Sequence, residues 1–321
     1  MSICFTSNRR SDRSLSRRSF KLLVDEMDRH YSFFAFKGID WAELSGRYRG
    51  AAGMASDVGT FVAAISPMLA ELKDPHVWIE APGCDGDGLK RAGDTKSMKQ
   101  GRIAPSRNLR QDVGCVTRTS QGFGYVAVYT LVASESAEKR LRSSISGLFD
   151  APGIIVDLRR NNGGSEPMAA RIASMFADRP RVYAFSKYRA GPRHDEFGEA
   201  RPRILRPRRD RRYTRPIVCL IGPGCVSSGE GLVQMLRVLP HVTLVGRPTR
   251  GASGNPAPVE LPNGVRVWFS RWLDLLPDGT PLEGRGVPPD IVVERRGSRD
   301  ELFGIALRVL QRRIDAARPR A

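Results

Sequence analysis

The chain has 321 residues, 40% of them hydrophobic, which is enough for one large or two modest domains with a sizeable core. Lys and Arg number 52 against 34 Asp and Glu, a formal net charge of +18. The five cysteines are odd in number and form no CxxC pair, so neither a disulfide framework nor a zinc site is indicated. No apolar run is long enough for a transmembrane helix, and we expect no membrane partner.

Two stretches carry much of the excess arginine: "SNRRSDRSLSRRSFK" over residues 7–21 and "RPRILRPRRDRRYTRP" over residues 201–216. Neither has the interleaved aromatic residues of a single-strand nucleic-acid platform, so we interpret both as solvated, with polyanion binding as the alternative. "SRRSFK" resembles a twin-arginine export motif, but Asp25, Glu26 and Asp28 follow where a signal needs apolar residues. We therefore expect a cytoplasmic protein, unless the start site is misassigned.

The N-terminal part predicts a disordered basic segment over residues 1–17 and a helical domain over 18–75. Residues 19–36 have apolar side chains at helical spacing. Asp40 is a good N-cap for the next helix, with Glu43 at capping-box spacing. A third helix contains Pro67, which we expect to kink or restart it.

Residues 76–321 predict a second domain in which strands and helices alternate, the pattern of an α/β layer fold. The runs "GIIVDLR" and "PIVCLIG" are continuously apolar, as buried parallel strands are. Residues 82–112 are polar and Gly-rich and predict a loop. Near the C-terminus, "PNG" at residues 262–264 predicts a hairpin turn, and a final helix follows.

The stretch "IGPGCVSSGE" holds the first candidate for chemistry, because Ser227 and Ser228 lie where a strand ends and a helix begins. The first N–H groups of a helix have no partner inside it and carry partial positive charge. A serine there can attack a carbonyl while a nearby amide receives the negative charge. Alternatively Ser227 is only a capping-box serine, since Glu230 follows three residues later.

A second set of candidates would complete a catalytic site. Gly163 and Gly164 follow a buried strand and would allow close backbone approach. A serine nucleophile needs a base and an orienting carboxylate. Of the four histidines, His76 lies at the junction of the two predicted domains, and Glu283 or Asp290 could supply the carboxylate. Each of these residues alone is better explained by a turn or surface role.

Five blocks in a fixed order resemble the tricorn and C-terminal-processing serine peptidases, a group that includes the retinoid-binding-protein repeats. They are "LKDPHVWI", "GIIVDLRRNNGG", "PIVCLIGPGCVSSGE", "LVGRPTRGASG" and "PDGTPLEGRGVPPDIVVE". The resemblance covers roughly residues 18 to 295. It implies a ClpP/crotonase-like spiral core over residues 76–321, an N-terminal helical bundle, and no metal or cofactor. The implied site has Ser227 as nucleophile, His76 as base, Glu283 as orienting acid, and an oxyanion hole from Ser228 with Gly163 or Gly164.

The chain departs from the group's pattern in three places. The processing proteases use a lysine where this chain has Ala252, so the histidine-dependent tricorn branch is the better match. Pro75 stands where that branch has a second serine beside His76. No segment has the length and strand pattern of a peptide-tethering PDZ domain. We therefore expect a serine peptidase that acts on peptides or unfolded proteins, as a monomer or an oligomer. The alternative is a non-catalytic binder of a hydrophobic ligand on the same fold.

Overall fold

The computed structural model describes residues 13–82, 113–293 and 299–316 of the chain, a mixed α/β protein as predicted. The helices are α1 (Arg13–His30), α2 (Phe34–Lys37), α3 (Trp41–Met54), α4 (Val58–Ala70), α5 (Glu135–Ser146), α6 (Glu166–Ala173), α7 (Ser228–Arg237) and α8 (Arg299–Ala316). The strands are β1 (Trp78–Glu80), β2 (Gly114–Arg118), β3 (Gly124–Val128), β4 (Ile154–Asp157), β5 (Arg181–Tyr188), β6 (Arg201–Leu205), β7 (Ile217–Ile221), β8 (Val242–Gly246), β9 (Ala257–Glu260), β10 (Arg266–Phe269), β11 (Trp272–Leu275) and β12 (Ile291–Val292).

The chain divides into two compact units, and the division differs from the predicted boundary at residue 75. Unit 1 combines the described N-terminal residues 13–82 with Lys187–Ala200 and Gly254–Leu273. Unit 2 contains the remaining described residues. The predicted loop over 82–112 lies outside the described residues from residue 83 onward. No helix in the described part of the chain is both long and apolar enough to cross a membrane.

Helix α1 starts at Arg13, inside the segment predicted to be disordered, so that prediction is wrong for residues 13–17. The reason is burial on one face of the helix. Ser16 and Ser19 are fully buried, and the Ser16 hydroxyl donates to the Ala55 carbonyl at 3.0 Å. Arg13, Arg17 and Arg18 are exposed and therefore lie on the outer face of this helix. Residues 1–12 lie outside the described part of the chain.

The other helices of unit 1 begin as their sequences predict. The Asp40 carboxylate accepts from the Glu43 N–H at 2.9 Å and caps α3. Asp57 caps α4 in the same way. Helix α4 continues through Pro67 to Ala70, so the proline does not end the helix.

The sheet of unit 1 is antiparallel and has the order β1-β10-β9. Strands β9 and β10 form the predicted hairpin. The Trp78 and Trp268 rings stack across the β1–β10 pair, with centroids 5.0 Å apart and planes 10° apart. Tyr31, in the turn after α1, and Phe34 of α2 pack with Phe269 of the sheet into one core.

Unit 2 is built on a six-stranded sheet with the order β12-β8-β7-β4-β3-β2, parallel except for the β2–β3 pair. Strands β4 and β7 are buried on both faces, as their apolar runs predict. Ile154 packs into the core that holds residues of α5, α6 and α7, and Ile155 faces the core that contains residues of α8. The serine and glycine candidates, Ser227, Ser228, Gly163 and Gly164, follow the carboxyl ends of β7 and β4, which are neighbours in this sheet.

The second arginine-rich stretch is not simply solvated, which corrects that interpretation. Residues 201–205 form β6, which pairs with β5, and Tyr213 is fully buried. Arg211 and Arg215 donate to main-chain carbonyls in the turn after α5, at Phe149 and Asp150. These guanidinium groups satisfy carbonyls near a helix C-terminus, where positive charge is favoured.

Candidate active site

Ser227 occupies the sharp turn between β7 and α7 in a backbone conformation that few residues adopt. Its φ is +60° and its ψ is −131°. Residues other than glycine rarely have positive φ, and such strain is commonly kept where function requires it. The turn is anchored by main-chain bonds: the Ser227 N–H donates to the Ala252 carbonyl at 2.8 Å, and the Val226 N–H donates to the Asn161 carbonyl at 3.0 Å.

Glu230 in the first turn of α7 ties this turn to the segment around Gly251. Its carboxylate is fully buried and accepts four hydrogen bonds, from the Ser227, Gly251 and Ala252 N–H groups and the Thr249 hydroxyl, at 2.6–3.1 Å. Burial raises the pKa of Glu230 to about 7, against these four donors, which favour the ionised form. The Glu230 N–H donates to the main-chain carbonyl of Ser227 at 2.7 Å.

The loop after β4 lies against Ser227. A Cβ at Gly163 would lie 2.8 Å from the Ser227 Cβ and from the Val226 carbonyl oxygen, so only glycine fits there. The Gly163 N–H, however, donates to the buried Asn161 side chain at 2.9 Å. Gly163 therefore contributes close approach rather than an oxyanion donor, which corrects one of the two predicted options.

The N–H of Gly164 is oriented differently from that of Gly163. The Gly163 carbonyl accepts from the Leu131 N–H at 2.8 Å. Because the C=O and N–H of a trans peptide point in opposite directions, the Gly164 N–H points away from Leu131. This N–H and that of Ser228 donate to no acceptor among the described residues. The Ser228 hydroxyl donates to the Gly164 carbonyl at 2.7 Å and joins the two segments.

The structure separates the two carboxylates considered as orienting groups. Glu283 is buried in a turn whose main chain is held to the Gly251 segment, through a 2.7 Å bond from the Gly284 N–H to the Gly251 carbonyl. Asp290 instead accepts from the Leu244 N–H of β8 at 2.7 Å. Glu283 is therefore near the Ser227 turn through shared main-chain bonds, and Asp290 has a structural role.

His76 belongs to unit 1, where it is 7% exposed and lies beside the fully buried Asp74. The Asp74 carboxylate accepts from the His76 N–H at 2.8 Å, the Ser270 hydroxyl at 2.8 Å and the Tyr31 hydroxyl at 3.1 Å. Its Oδ1 is also 3.7 Å from the His76 Nδ1. Burial would raise the pKa of Asp74, but the hydrogen bonds and charge of His76 outweigh it, so this pKa is lowered.

The other histidines have different roles. His194 bonds Asp28 at 2.9 Å in unit 1, and His30 is exposed 3.7 Å from Glu26. The His241 carbonyl accepts from Ile217 at the start of β7, at the opposite end of the strand from Ser227. Within the described residues, no cluster of three or more His, Cys, Asp or Glu side chains could hold a metal ion.

Two site residues were missed by the sequence reasoning, Asp74 and Asn161. The sequence signal for each is the spacing of an Asx turn. In both turns the side chain accepts a hydrogen bond from the N–H two residues later in the chain.

Comparison with known proteins places this geometry in a family. The model of the family described as Peptidase family S41 matches residues 122–293, which include the Ser227 turn, the Gly164 loop and Glu283. The chain belongs to peptidase family S41. The resemblance inferred from the five sequence blocks is thereby confirmed.

The S41 relatives include the carboxy-terminal processing protease CtpA of Bacillus subtilis, 27% identical over 50% of this chain and 33% of the relative. A carboxy-terminal-processing protease of Bartonella bacilliformis is 26% identical over 44% of this chain and 31% of the relative. The chain thus spans about a third of the length of these curated relatives.

Solved structures extend the S41 match in space to nearly the whole chain. A candidate peptidase from Parabacteroides merdae has 27% identity and a TM-score of 0.74, covering 95% of this chain and 99% of its own. The photosystem II D1 C-terminal processing protease has a TM-score of 0.61 at 19% identity, covering 92% and 97% of the two chains. At that identity the second likeness concerns the fold alone.

Proposed function

We propose that the chain is a serine-type peptidase that cleaves peptides or unfolded proteins through an acyl-enzyme. The observation that carries this proposal is the Ser227 turn. It combines a strained backbone after a buried strand with two N–H groups, from Ser228 and Gly164, that no described residue uses. Sharp strand-to-helix turns of this kind present nucleophilic serines in other hydrolases.

The proposed reaction starts when His76 accepts the proton of the Ser227 hydroxyl and the oxygen attacks the scissile carbonyl. The N–H groups of Gly164 and Ser228 stabilise the oxyanion. Protonated His76 then donates its proton to the leaving amine, and water hydrolyses the acyl-enzyme by the same route. Glu283 orients His76 and stabilises its charged form, the role of the third member of a triad. Asp74 adds negative charge 3.7 Å from His76.

The proposal includes a finer account of the fold. We propose that unit 2 is a ClpP/crotonase-like spiral core, supported by the parallel order of β8, β7, β4 and β3 with helical crossovers between them. Helices α1–α4 correspond in this account to the N-terminal bundle of the tricorn branch. Family S41 membership and the likeness to the Parabacteroides merdae structure support the same assignment.

Labelling with a fluorophosphonate probe tests the proposal. Mass spectrometry should find the probe on Ser227 in the full chain, and His76→Ala should remove the labelling. Peptide hydrolysis by Ser227→Ala or His76→Ala should fall around a million-fold in kcat. Ser228 is a built-in comparison, since a probe that reacts with exposed hydroxyls would label both serines.

The second candidate is a binding protein without catalysis, which one cavity favours. A groove of about 540 Å³ lies between α1 and α3, with Phe20, Val24 and Met54 among its apolar lining residues and Arg17 at its side. Its size and lining suit a small hydrophobic ligand. Folded protein that shows no probe on Ser227 but binds a hydrophobic fluorophore in this groove would favour this candidate over the peptidase.

A further inference from the structure

One arginine of the second arginine-rich stretch has a largely buried side chain in unit 2. Arg203 lies on β6 with 10% of its side chain exposed. Its Nη1 is 2.8 Å from the Asp274 carboxylate, and its Nη2 bonds the Glu166 carboxylate. A planar guanidinium can hold two carboxylates in fixed directions, which the point charge of a lysine cannot do.

Two polar side chains surround this ion triad. The Tyr183 hydroxyl donates to Glu166, and the Arg203 guanidinium lies 5.0 Å from the Tyr183 ring centre. Gln234 on α7 donates to the Asp274 carboxylate at 3.1 Å. We call these five residues, Glu166, Tyr183, Arg203, Gln234 and Asp274, the Arg203 cluster.

Two residues of the Arg203 cluster, Glu166 and Gln234, lie on helices that begin next to the proposed oxyanion donors. Glu166 is the first residue of α6 and comes two residues after Gly164. Gln234 lies on α7, whose first residue is Ser228. Both helices thus start at the site and are joined through Arg203 within two turns of their N-termini.

Asp274 links the Arg203 cluster to two further segments of the site in unit 2, one that contains Glu283 and one that contains Ala252. The Asp274 main-chain carbonyl accepts from the Leu282 N–H at 2.9 Å, next to Glu283. Its carboxylate hydrogen-bonds Ser253, which follows the residue whose carbonyl accepts the Ser227 N–H. Four backbone segments that carry site residues are therefore fastened to one buried guanidinium.

We propose that Arg203 is a positioning residue of the peptidase site, which holds the Gly164 loop, the Ser227 turn and the Glu283 turn in the relative placement that acylation requires. This inference rests on the proposed function. It assigns a specific role to one side chain of a stretch that otherwise serves packing and surface charge. A misplacement of about 1 Å in such a site costs on the order of 100-fold in rate.

A purely structural role for Arg203 predicts a different result from a positioning role. If Arg203 only stabilises the fold, Arg203→Lys lowers the fraction of molecules that the fluorophosphonate labels, but each labelled molecule reacts at the wild-type rate. If Arg203 positions the site, every folded molecule is labelled, but slowly. We therefore measure the end point and the rate constant of Ser227 labelling separately on the full chain.

For Arg203→Lys we expect complete labelling with a rate constant about 100-fold below wild type, and a kcat for peptides that falls similarly while KM stays nearly constant. Arg206→Lys is the matched control, since Arg206 is an exposed arginine of the same stretch. It should react like wild type. A wild-type rate constant in Arg203→Lys, whatever the end point, overturns the inference.

Asp274→Asn keeps the test decisive if Arg203→Lys does not fold. The Gln234 Oε1 is buried without a hydrogen-bond donor among the described residues, so an Asn amide at position 274 can donate to it. This variant loses the ionic contact with Arg203, and its rate constant should fall roughly tenfold with full labelling. An unchanged rate constant in Asp274→Asn also overturns the inference. A wild-type protein that is never labelled at Ser227 would instead overturn the proposed function.

Discussion

The turn that holds Ser227 and the turn that holds His76 are constructed differently. Main-chain groups of the Asn161 and Ala252 segments hold the Ser227 turn, and the Glu230 carboxylate accepts from the Ser227 N–H. The His76 turn is instead held by one buried carboxylate, that of Asp74, which accepts hydrogen bonds from two hydroxyls and one N–H. The Ser227 turn should therefore be sensitive to substitutions that change glycines or backbone geometry. The His76 turn should be sensitive to substitutions that change charge.

The largest expected effect separates the two carboxylates that could serve His76. Glu283→Gln removes the charge that we propose orients His76, with little change of shape, and kcat should fall about 10⁴-fold, as in known triads with an amide in this place. In Asp74→Asn the amide faces hydroxyl and N–H donors, so we expect a loss of about 1–3 kcal/mol in the free energy of unfolding and a smaller loss in kcat.

Steady-state kinetics and chemical denaturation of the two variants check this prediction. Tyr31→Phe is a control for Asp74, since it removes one donor and leaves the carboxylate. If Asp74→Asn loses more activity than Glu283→Gln while remaining folded, Asp74 orients His76 and the proposed triad must be changed.

The second prediction concerns Gly163, which lies against the Ser227 turn. Gly163→Ala places a methyl group 2.8 Å from the Ser227 Cβ, so the turn must shift, and we expect a loss of about 100-fold in the rate of probe labelling. Gly122→Ala is a matched control, because Gly122 has φ +81° against +82° at Gly163 and open space around its Cβ. Equal losses in both variants would mean that φ strain, and not contact with Ser227, limits position 163.

The third prediction concerns the pH dependence that Glu230 gives to stability. Because burial raises the folded-state pKa from 4.5 to about 7, the folded protein holds this proton more tightly than the unfolded chain. Stability from this group is therefore fully present below about pH 4.5 and is lost as pH rises to about 7, by an amount on the order of 3 kcal/mol.

Glu230→Gln isolates this contribution, since glutamine does not titrate. The free energy of unfolding of wild type minus that of the variant should decrease between pH 4.5 and 7. A difference that stays flat or rises with pH would show that the four donors, rather than burial, control the carboxyl group.

The smallest effect is expected at Ser228. Ser228→Ala removes the 2.7 Å bond to the Gly164 carbonyl and leaves both N–H groups in place, so labelling should slow by no more than about tenfold. Ser174→Ala removes a similar bond, 2.8 Å to the Arg171 carbonyl, away from the site and should have no effect on the rate. A loss of several hundred-fold at Ser228 would mean that its hydroxyl participates in the reaction.

Much of the fold could be predicted because local patterns and tertiary packing agree. The buried strands β4 and β7, the Asp40 cap and the β9–β10 hairpin each have a signal within a few residues. Strand β6 was missed because its residues are arginine and proline, which are typical of exposed segments, and its pairing with β5 is a tertiary effect. Helix α1 was predicted to start too late because its first turns are rich in serine and arginine. The face that packs against Ala55 therefore has no apolar pattern there.

The candidate site was predictable as a set of segments and less so as hydrogen bonds. The strand-to-helix corners pointed to Ser227 and Ser228 and to the pair Gly163 and Gly164. They could not show that Asn161 binds the Gly163 N–H, or that Asp74 lies beside His76, because such partners depend on which way side chains point in the folded turn.

The stacked pair of Trp78 and Trp268 has an optical consequence. Two indole rings 5.0 Å apart and nearly parallel couple their electronic transitions, and this coupling gives a paired positive and negative band in circular dichroism. Trp78 lies two residues after His76, on the strand that begins there. The amplitude of that band is therefore an intrinsic readout of whether the segment that carries His76 keeps its conformation.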